Sequence, residues 1–248
     1  MLSKTHTKYI QSLQHKKSRD EAGLFIAEGP KLVPDLLAGR NFICKELFAV
    51  KEWFDHNEKL RSTYPNISFT EVEDFELGKI SALTTPNSVL AVFEKRKPDS
   101  NIVLKDKITL VLDTIQDPGN LGTIIRIADW FGLENIVCSQ GCADMYNPKV
   151  VQSTMGSLGR VNIIYTNLAG WLKKNNSIKI YSASLTGKPL PALGKLKEGI
   201  IIIGNEAHGI SDEVMELVNE KITIPRTGEA ESLNAAVAAG IIISHVTG

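Results

Sequence analysis

The sequence predicts an α/β protein: a mostly parallel sheet over residues 107–248, preceded by a smaller α/β unit over residues 1–96. Three observations carry this expectation. Strand-like and helix-like patterns alternate regularly through the second part, as they do where helices cross over between parallel strands. The run GIIIIG at 199–204 is apolar without interruption, which suits a central strand covered on both faces. The segment KRKPDSNIVLKDK at 95–107 is charged and carries proline and serine, so a linker is placed at 97–106.

In the first part, TKYIQSLQHKKSRDEAG has helical apolar spacing at Tyr9, Ile10 and Leu13 and is basic on its other faces. LFIAEGPKLVPDLLAG reads as a strand, a Glu28-Gly29-Pro30 turn and a helix. KELFAVKEWFDHN reads as a strand leading into a helix, and SVLAVFEKR as a closing strand. In the second part, strands are expected at ITLVLDTI, NIVCSQ, NIIYT, IKIYSASL, GIIIIG and KITIP. The intervening helices are NLGTIIRIADWFG, PKVVQSTMGSLG, LAGWLKKNN and SDEVMELVNE, with a final one from Ser232.

Composition sets bounds on function. A chain of 248 residues has ample length for a real core, and its formal net charge of zero announces no polyanionic partner. The charge is uneven, however. Residues 1–19 carry Lys4, Lys8, Lys16, Lys17 and Arg19 and no acid, which fits a solvated, mobile terminus and equally a phosphate-binding arm. Lys31 and Arg40 add cations nearby. The odd cysteine count (Cys44, Cys138, Cys142) and the lack of a secretory signal point to a reducing cytoplasm. Cys138 and Cys142 form C-x3-C without a third cysteine at iron–sulfur spacing, and read as packing or loop residues. The five histidines show no metal-ligand spacing, so no metal is expected. No apolar run approaches a membrane span.

Ligand sites in open α/β sheets lie beyond the C-terminal ends of the strands. Three unusual stretches sit there: LDTIQDPGNLGTIIRIADWFG at 112–132, IIIGNEAHGIS at 201–211 and ITIPRTGEAESLNAAVAAGIIISH at 222–245. Taken singly, Asn120 and Ser232 read as helix caps, Asn234 as an exposed first-turn residue and Arg126 as a surface cation. Taken jointly, they place glycines, amides, a carboxylate and an arginine on one edge of one sheet. The chain has no G-x-x-x-x-G-K-[ST], no G-x-G-x-x-G and no G-x-S-x-G. The residues alone therefore reach an α/β domain with a polar three-loop site, and no cofactor.

In order, DPGNLGTIIRIADWFG, IIIGNEAHGIS and ITIPRTGEAESLNAAVAAGI resemble the three motifs of the SpoU (TrmH-like) family of RNA ribose 2'-O-methyltransferases, in the SPOUT superfamily. FIAEGPKLV and LTTPNSVLAVF resemble that family's appended L30e-like substrate-binding domain. The resemblance implies a C-terminal trefoil knot, which general topology rules disfavour, with S-adenosylmethionine bound in it. It implies that Gly204, Asn205, Ile224, Leu233 and Leu185 hold the cofactor. The small residues Ala235, Ala236, Ala238, Ala239 and Gly240 would let the last helix pack closely in the knot or at a subunit interface.

The resemblance also implies a catalytic set of Asn120, Arg126, Glu206, Ser232 and Asn234. Arg126 would clamp the target phosphate and stabilise developing alkoxide charge, because a guanidinium does not readily lose a proton. Glu206 would orient Arg126 or the ribose, and Ser232 and Asn234 would hydrogen-bond substrate and loop. The implied partners are ribosomal or transfer RNA, contacted by the N-terminal cations, and a second copy of the chain through the knot region, where Arg126 can serve the partner's site. A catalytically idle RNA-binding module in ribosome assembly is the alternative, and the intact five-residue set argues against it. Base methylation, which other SPOUT branches perform, is disfavoured by the SpoU-type motifs.

Overall fold

A computed structural model describes residues 2–39 and 41–248; Arg40, one of the candidate RNA cations, lies outside the described residues. The elements through the first part are α1 (Lys4–Ser12), α2 (Lys16–Ala22), β1 (Leu24–Glu28), α3 (Leu32–Gly39), β2 (Cys44–Ala49), α4 (Lys51–Asp55), α5 (Leu60–Thr63), β3 (Ser68–Glu71), α6 (Asp74–Ile80) and β4 (Val89–Glu94). They continue as β5 (Ile108–Leu112), α7 (Pro118–Trp130), β6 (Asn135–Ser139), α8 (Pro148–Thr154), β7 (Asn162–Thr166), α9 (Leu168–Lys174), β8 (Ile180–Pro189), β9 (Gly199–Ile203), α10 (Asp212–Met215), β10 (Glu220–Thr223) and α11 (Ala235–Thr247). Two compact units result: Met1–Lys97 with Tyr146–Gly159, and Pro98–Met145 with Arg160–Gly248.

The first unit is a four-stranded sheet in the order β1-β4-β2-β3, antiparallel except for the β2–β3 pair. Ile10 and Leu13 join Ile26, Phe48, Leu77, Ile80, Leu90 and Val92 in its core. The N-terminal segment is therefore anchored rather than a free arm. It also forms two helices instead of one, broken at residues 13–15, with Gly23 closing the second in the left-handed conformation. Arg19, a candidate RNA contact, is corrected here: it is 1 % exposed and donates to the carbonyls of Leu13 at 3.0 Å and Gln14 at 2.8 Å. Those carbonyls belong to the end of α1, where the helix supplies no partners. Arg19 is thus an internal cap that RNA does not reach.

The segment Tyr146–Gly159 was expected in the second domain but packs with the first unit. Its tyrosine explains why. The Tyr146 ring lies 4.8 Å from Phe25 and 6.3 Å from Phe42, and its hydroxyl accepts from Arg96 N–H and donates to Arg96 C=O. At the other end Asn41 Nδ2 donates to Gly159 C=O at 2.6 Å. One buried aromatic with both hydroxyl functions satisfied is enough to dock a short segment.

The second unit is a six-stranded, wholly parallel sheet in the order β10-β8-β9-β5-β6-β7. All six expected strands are present, and β9 is buried along its whole length. From β5 the chain builds outward through β6 and β7, then returns to lay β9 on the other flank of β5. The switch in direction opens a crevice at the C-terminal ends of β5 and β9, the place where such sheets bind ligands. No helix among the described residues is long and apolar enough to cross a membrane.

Candidate active site

Three loops leave the sheet at this crevice, and hydrogen bonds tie them together. Asp113, buried at the end of β5, accepts from Ser211 N–H at 2.8 Å, Ser211 Oγ at 2.7 Å and Thr114 Oγ1 at 3.0 Å. Thr114 itself has φ of 58°, a conformation that a β-branched residue rarely adopts. It is held there by Ser139 Oγ, which accepts from its N–H at 2.8 Å, and by Asn205 Nδ2, which donates to its C=O at 2.9 Å. Strain of this kind persists only where the surroundings over-determine it, and it gathers at functional sites.

Asn205 is therefore a loop anchor. Its Oδ1 accepts from Ala207 and His208 N–H at 2.8 and 3.1 Å, and its backbone exchanges two 2.9 Å bonds with Gly209. The tight turn leaves no room at Gly204, where a Cβ would lie 2.5 Å from both C and O of Gly209. Close backbone approach thus demands glycine here before any ligand is considered.

Two long helices point their N-termini at the same spot. α7 is capped by Asp117, which accepts from Asn120 N–H at 2.8 Å, with Pro118 in its first turn. α11 begins at Ala235 rather than Ser232, and its cap is Asn234, whose Oδ1 accepts from Ala236 and Val237 N–H at 3.0 and 3.2 Å. Asn234 thus takes the cap role expected of Ser232, which lies outside the helix two residues before the cap, and Asn120 falls inside α7 rather than at its cap. Glu206 Oε1 accepts from Asn120 Nδ2 at 2.6 Å, Asn234 Nδ2 at 3.2 Å and Ala235 N–H at 3.0 Å. Asn234 Nδ2 also donates to Asn120 Oδ1 at 2.9 Å. Because Asn234 Oδ1 is committed to the helix, its amide has one orientation only, and the triangle is fixed. A carboxylate where two helix N-termini meet is also favoured by their dipoles.

The structure thus brings Asn120, Glu206 and Asn234 together and leaves Arg126 and Ser232 apart from them. Glu206 does not hold Arg126, as one sequence expectation had it, because all its contacts go to the two amides and the α11 backbone. Arg126 lies on the exposed face of α7, and among the described residues it has no hydrogen bond or ion pair. Ser232 is likewise exposed and unbonded. An exposed, unpaired guanidinium on the helix that carries Asn120 is free to meet an anion.

The five residues expected to hold a cofactor divide into two kinds. Gly204 and Asn205 shape the β9 loop, whereas Leu185, Ile224 and Leu233 supply apolar surface. Leu185 is 73 % and Leu233 44 % exposed, and Ile224 is half-buried. Thr223 Oγ1 donates to Leu185 C=O at 3.2 Å, which seats Leu185 beside the start of the β10 loop. Uncovered leucines at a sheet edge gain free energy when a ligand covers them.

Of the remaining cations, Lys4 and Lys8 are exposed one turn apart on α1, and Lys31 is exposed just beyond Gly29-Pro30. Lys16 pairs with Asp20 at 2.7 Å and Lys17 lies 3.9 Å from Glu21. Sequence reading passed over Asp113 and Thr114. The first had a signal, an aspartate closing an apolar strand; the second's backbone angle had none.

Cys142 adds a chemical marker at this edge. A hydrogen bond from Cys138 holds its thiol down at about 7, helped by Ser139 and the Ile115 N–H, against the opposing effect of burial. Burial pushes the Cys44 thiol up to about 12, and the hydrogen bond to Cys142, together with burial, raises Cys138 as well. Thiolates, not thiols, are alkylated. Iodoacetamide at neutral pH is expected to label Cys142 well ahead of the other two, with a rate midpoint near pH 7, read by peptide mass spectrometry; equal labelling of all three would refute this. Among the described residues no group of three or more His, Cys, Asp or Glu side chains is arranged to hold a metal.

A parallel sheet with two helix N-termini and three bonded loops at its switch point defines an α/β domain with a polar ligand crevice at that edge. Residues 107–244, more than half of the chain, match the SpoU rRNA Methylase family, and the chain belongs to that family. Residues 4–91 match the MRM3-like substrate binding domain. The chain is 32 % identical to the 23S rRNA (guanosine(2553)-2'-O)-methyltransferase RlmP of Bacillus subtilis, over 96 % of this chain and 94 % of that protein. Among solved structures it is similar to an AdoMet-bound rRNA methyltransferase from Sinorhizobium meliloti, at 30 % identity and TM-score 0.86, covering 98 % of this chain and 95 % of the other. It is also similar to the SpoU methyltransferase AviRb of Streptomyces viridochromogenes in complex with AdoMet, at 25 % identity and TM-score 0.85, covering 98 % and 96 %.

Proposed function

We propose that this protein transfers a methyl group from S-adenosylmethionine to a ribose 2'-hydroxyl of ribosomal RNA. The observation that carries the reading is the Asn120–Glu206–Asn234 network, with an exposed, unpaired Arg126 on the same helix as Asn120, in a chain similar over 96 % of its length to a 23S rRNA 2'-O-methyltransferase. The cofactor supplies an electrophilic methyl on a sulfonium, whose departure leaves a neutral thioether. The exposed Leu185 and Leu233 and the half-buried Ile224 fit an adenosyl group, and the β9 and β10 loops offer it backbone polar groups.

The chain's own residues do the rest. Arg126 binds the phosphate next to the target ribose and stabilises the negative charge that develops on the 2'-oxygen as it takes the methyl group and releases its proton to water, an electrostatic role suited to a group that stays charged. Glu206 acts as a positioning residue: it fixes Asn120 and Asn234, and so the α7 and α11 N-termini, against which substrate is held. Ser232 meets substrate from the α11 entrance.

The first domain (1–96), joined by 97–106 to the catalytic domain (107–248), holds RNA through Lys4, Lys8, Lys16, Lys17 and Lys31. The segment from β10 to α11 threads a trefoil knot. Two copies pair through α7 and α11, adjacent helices on which Trp130 is 82 % exposed and Val237 and Ile241 are exposed as well.

Incubation with methyl-labelled S-adenosylmethionine and unmodified 23S rRNA transcript, then nucleoside analysis, tests the activity. A single 2'-O-methylated nucleoside is the expected product. Tight RNA binding with no cofactor binding and no transfer would instead identify an idle RNA-binding module.

A further inference from the structure

Within the first unit, the end of β1 is built around a gap. Gly29 has φ of 122°, and a Cβ there would sit 3.6 Å from Asn87 Nδ2 and 3.8 Å from Gln152 Nε2. Two primary amides therefore converge on a residue with no side chain. Both residues are half-buried, and among the described residues neither amide makes a hydrogen bond. Each offers two donors and an acceptor, and none of these atoms is buried without a partner, so both amides stay open to solvent and to a ligand.

The supports of both amides are rigid. The buried Glu28 carboxylate accepts from Ser81 Oγ at 2.5 Å and Ala82 N–H at 2.7 Å, while Gly29 N–H donates to Val89 C=O at 3.0 Å, so the 81–88 loop is fastened at both ends. Gln152 rides on α8, which is capped by Asn147 and fixed by the buried Val150, Val151 and Thr154. Pro30 and Lys31 follow Gly29 in the chain and Thr84, Thr85 and Pro86 precede Asn87, all of them exposed. The exposed chain neighbours of this point are thus two threonines, two prolines and a cation.

We propose that Asn87 and Gln152 read the edge of an unpaired nucleobase in the RNA substrate, with Lys31 on an adjoining phosphate. The inference rests on the rRNA reading above and adds a specificity determinant to it. Asn and Gln amides can pair bidentately with an adenine edge, and RNA sequence is read on splayed, unpaired bases. Gly29 keeps the space between them open.

The test uses the full chain and in vitro transcribed, unmodified 23S rRNA, with Kd from filter binding and KM and kcat from methyl transfer. Asn87→Ala and Gln152→Ala are each expected to raise Kd and KM for the transcript about 10-fold, with kcat at saturating RNA, cofactor affinity and Tm unchanged. Lys31→Ala should flatten the salt dependence of binding by about one contact, whereas the amide variants leave that slope alone. Gln152→Glu, isosteric and anionic, guards against a packing artefact and should bind at least as poorly as Gln152→Ala. A double alanine variant with wild-type Kd and KM would overturn the base-reading role of the two amides. A wild type that transfers no methyl would overturn the activity instead, and the Kd comparison alone would then decide the amides' role.

Discussion

Arg126→Ala is expected to lower kcat by about 100- to 1000-fold, the range seen when one group stabilising a developing oxyanion is removed, while Tm and cofactor affinity stay at wild-type values. The contrast follows from the position of the side chain. Arg126 projects from the exposed face of α7 and has no partner within the described protein, so its removal leaves no buried group unsatisfied and no cavity. Exposed substitutions of this kind shift stability by no more than about 0.5 kcal/mol. Its contribution is therefore all in contacts with substrate. Arg126→Lys keeps the charge but loses the planar fork, and should recover only part of the rate. Single-turnover transfer and thermal melts of the three proteins check both halves. Wild-type kcat in Arg126→Ala would remove Arg126 from the chemistry, and a large fall in Tm would make it structural.

How far the fold could be read in advance depends on the range of the forces involved. β9 was legible because burial on both faces leaves a mark inside five residues. β5 and β6 were legible for a similar reason, as short and largely buried apolar runs, whereas the edge strand β10, with Ile222 alone buried, was legible from the regular alternation around it. β3 and α6 were missed. SFTE is a half-exposed edge strand with no apolar run, and α6 is announced mainly by its Glu73–Glu76 capping box. Tyr146 looked like part of the second domain because its neighbours in sequence belong there; its docking depends on Phe25, more than a hundred residues away.

The site was legible as three loops on one sheet edge, a consequence of parallel topology, but the wiring between them was not. Which amide Glu206 would choose, and which of Ser232 and Asn234 would cap α11, are decided by ångström-scale geometry that residue type does not encode. Arg19 shows the same limit from the other side. Its charge suggested a polyanion, and only the unpaired carbonyls at the end of α1 explain why it is inside.

Glu206→Ala should show a different profile from Arg126→Ala: kcat/KM down by roughly 100-fold, with cofactor affinity weakened as well. Three donors lose their acceptor at once, those of Asn120, Asn234 and the Ala235 backbone. The site is exposed, so water replaces part of what is lost, and the effect on Tm should be modest, about 1 kcal/mol of stability. The larger consequence is positional. The two helix N-termini are no longer tied to the β9 loop, and the same loop carries Gly204 and Asn205. Because the residues form one network, the effects should not add. Asn234→Ala alone loses the α11 cap, whose removal costs about 1 kcal/mol, as well as its bonds to Glu206 and Asn120. The double variant Glu206→Ala/Asn234→Ala should lose clearly less activity than the two singles multiplied, as coupled neighbours do. Glu206→Gln retains one acceptor oxygen but turns an N–H toward other donors, and should fall between wild type and alanine. Strict additivity across the Glu206–Asn234 cycle, or an effect on kcat with cofactor affinity untouched, would show that Glu206 acts on substrate directly rather than by holding the loops together.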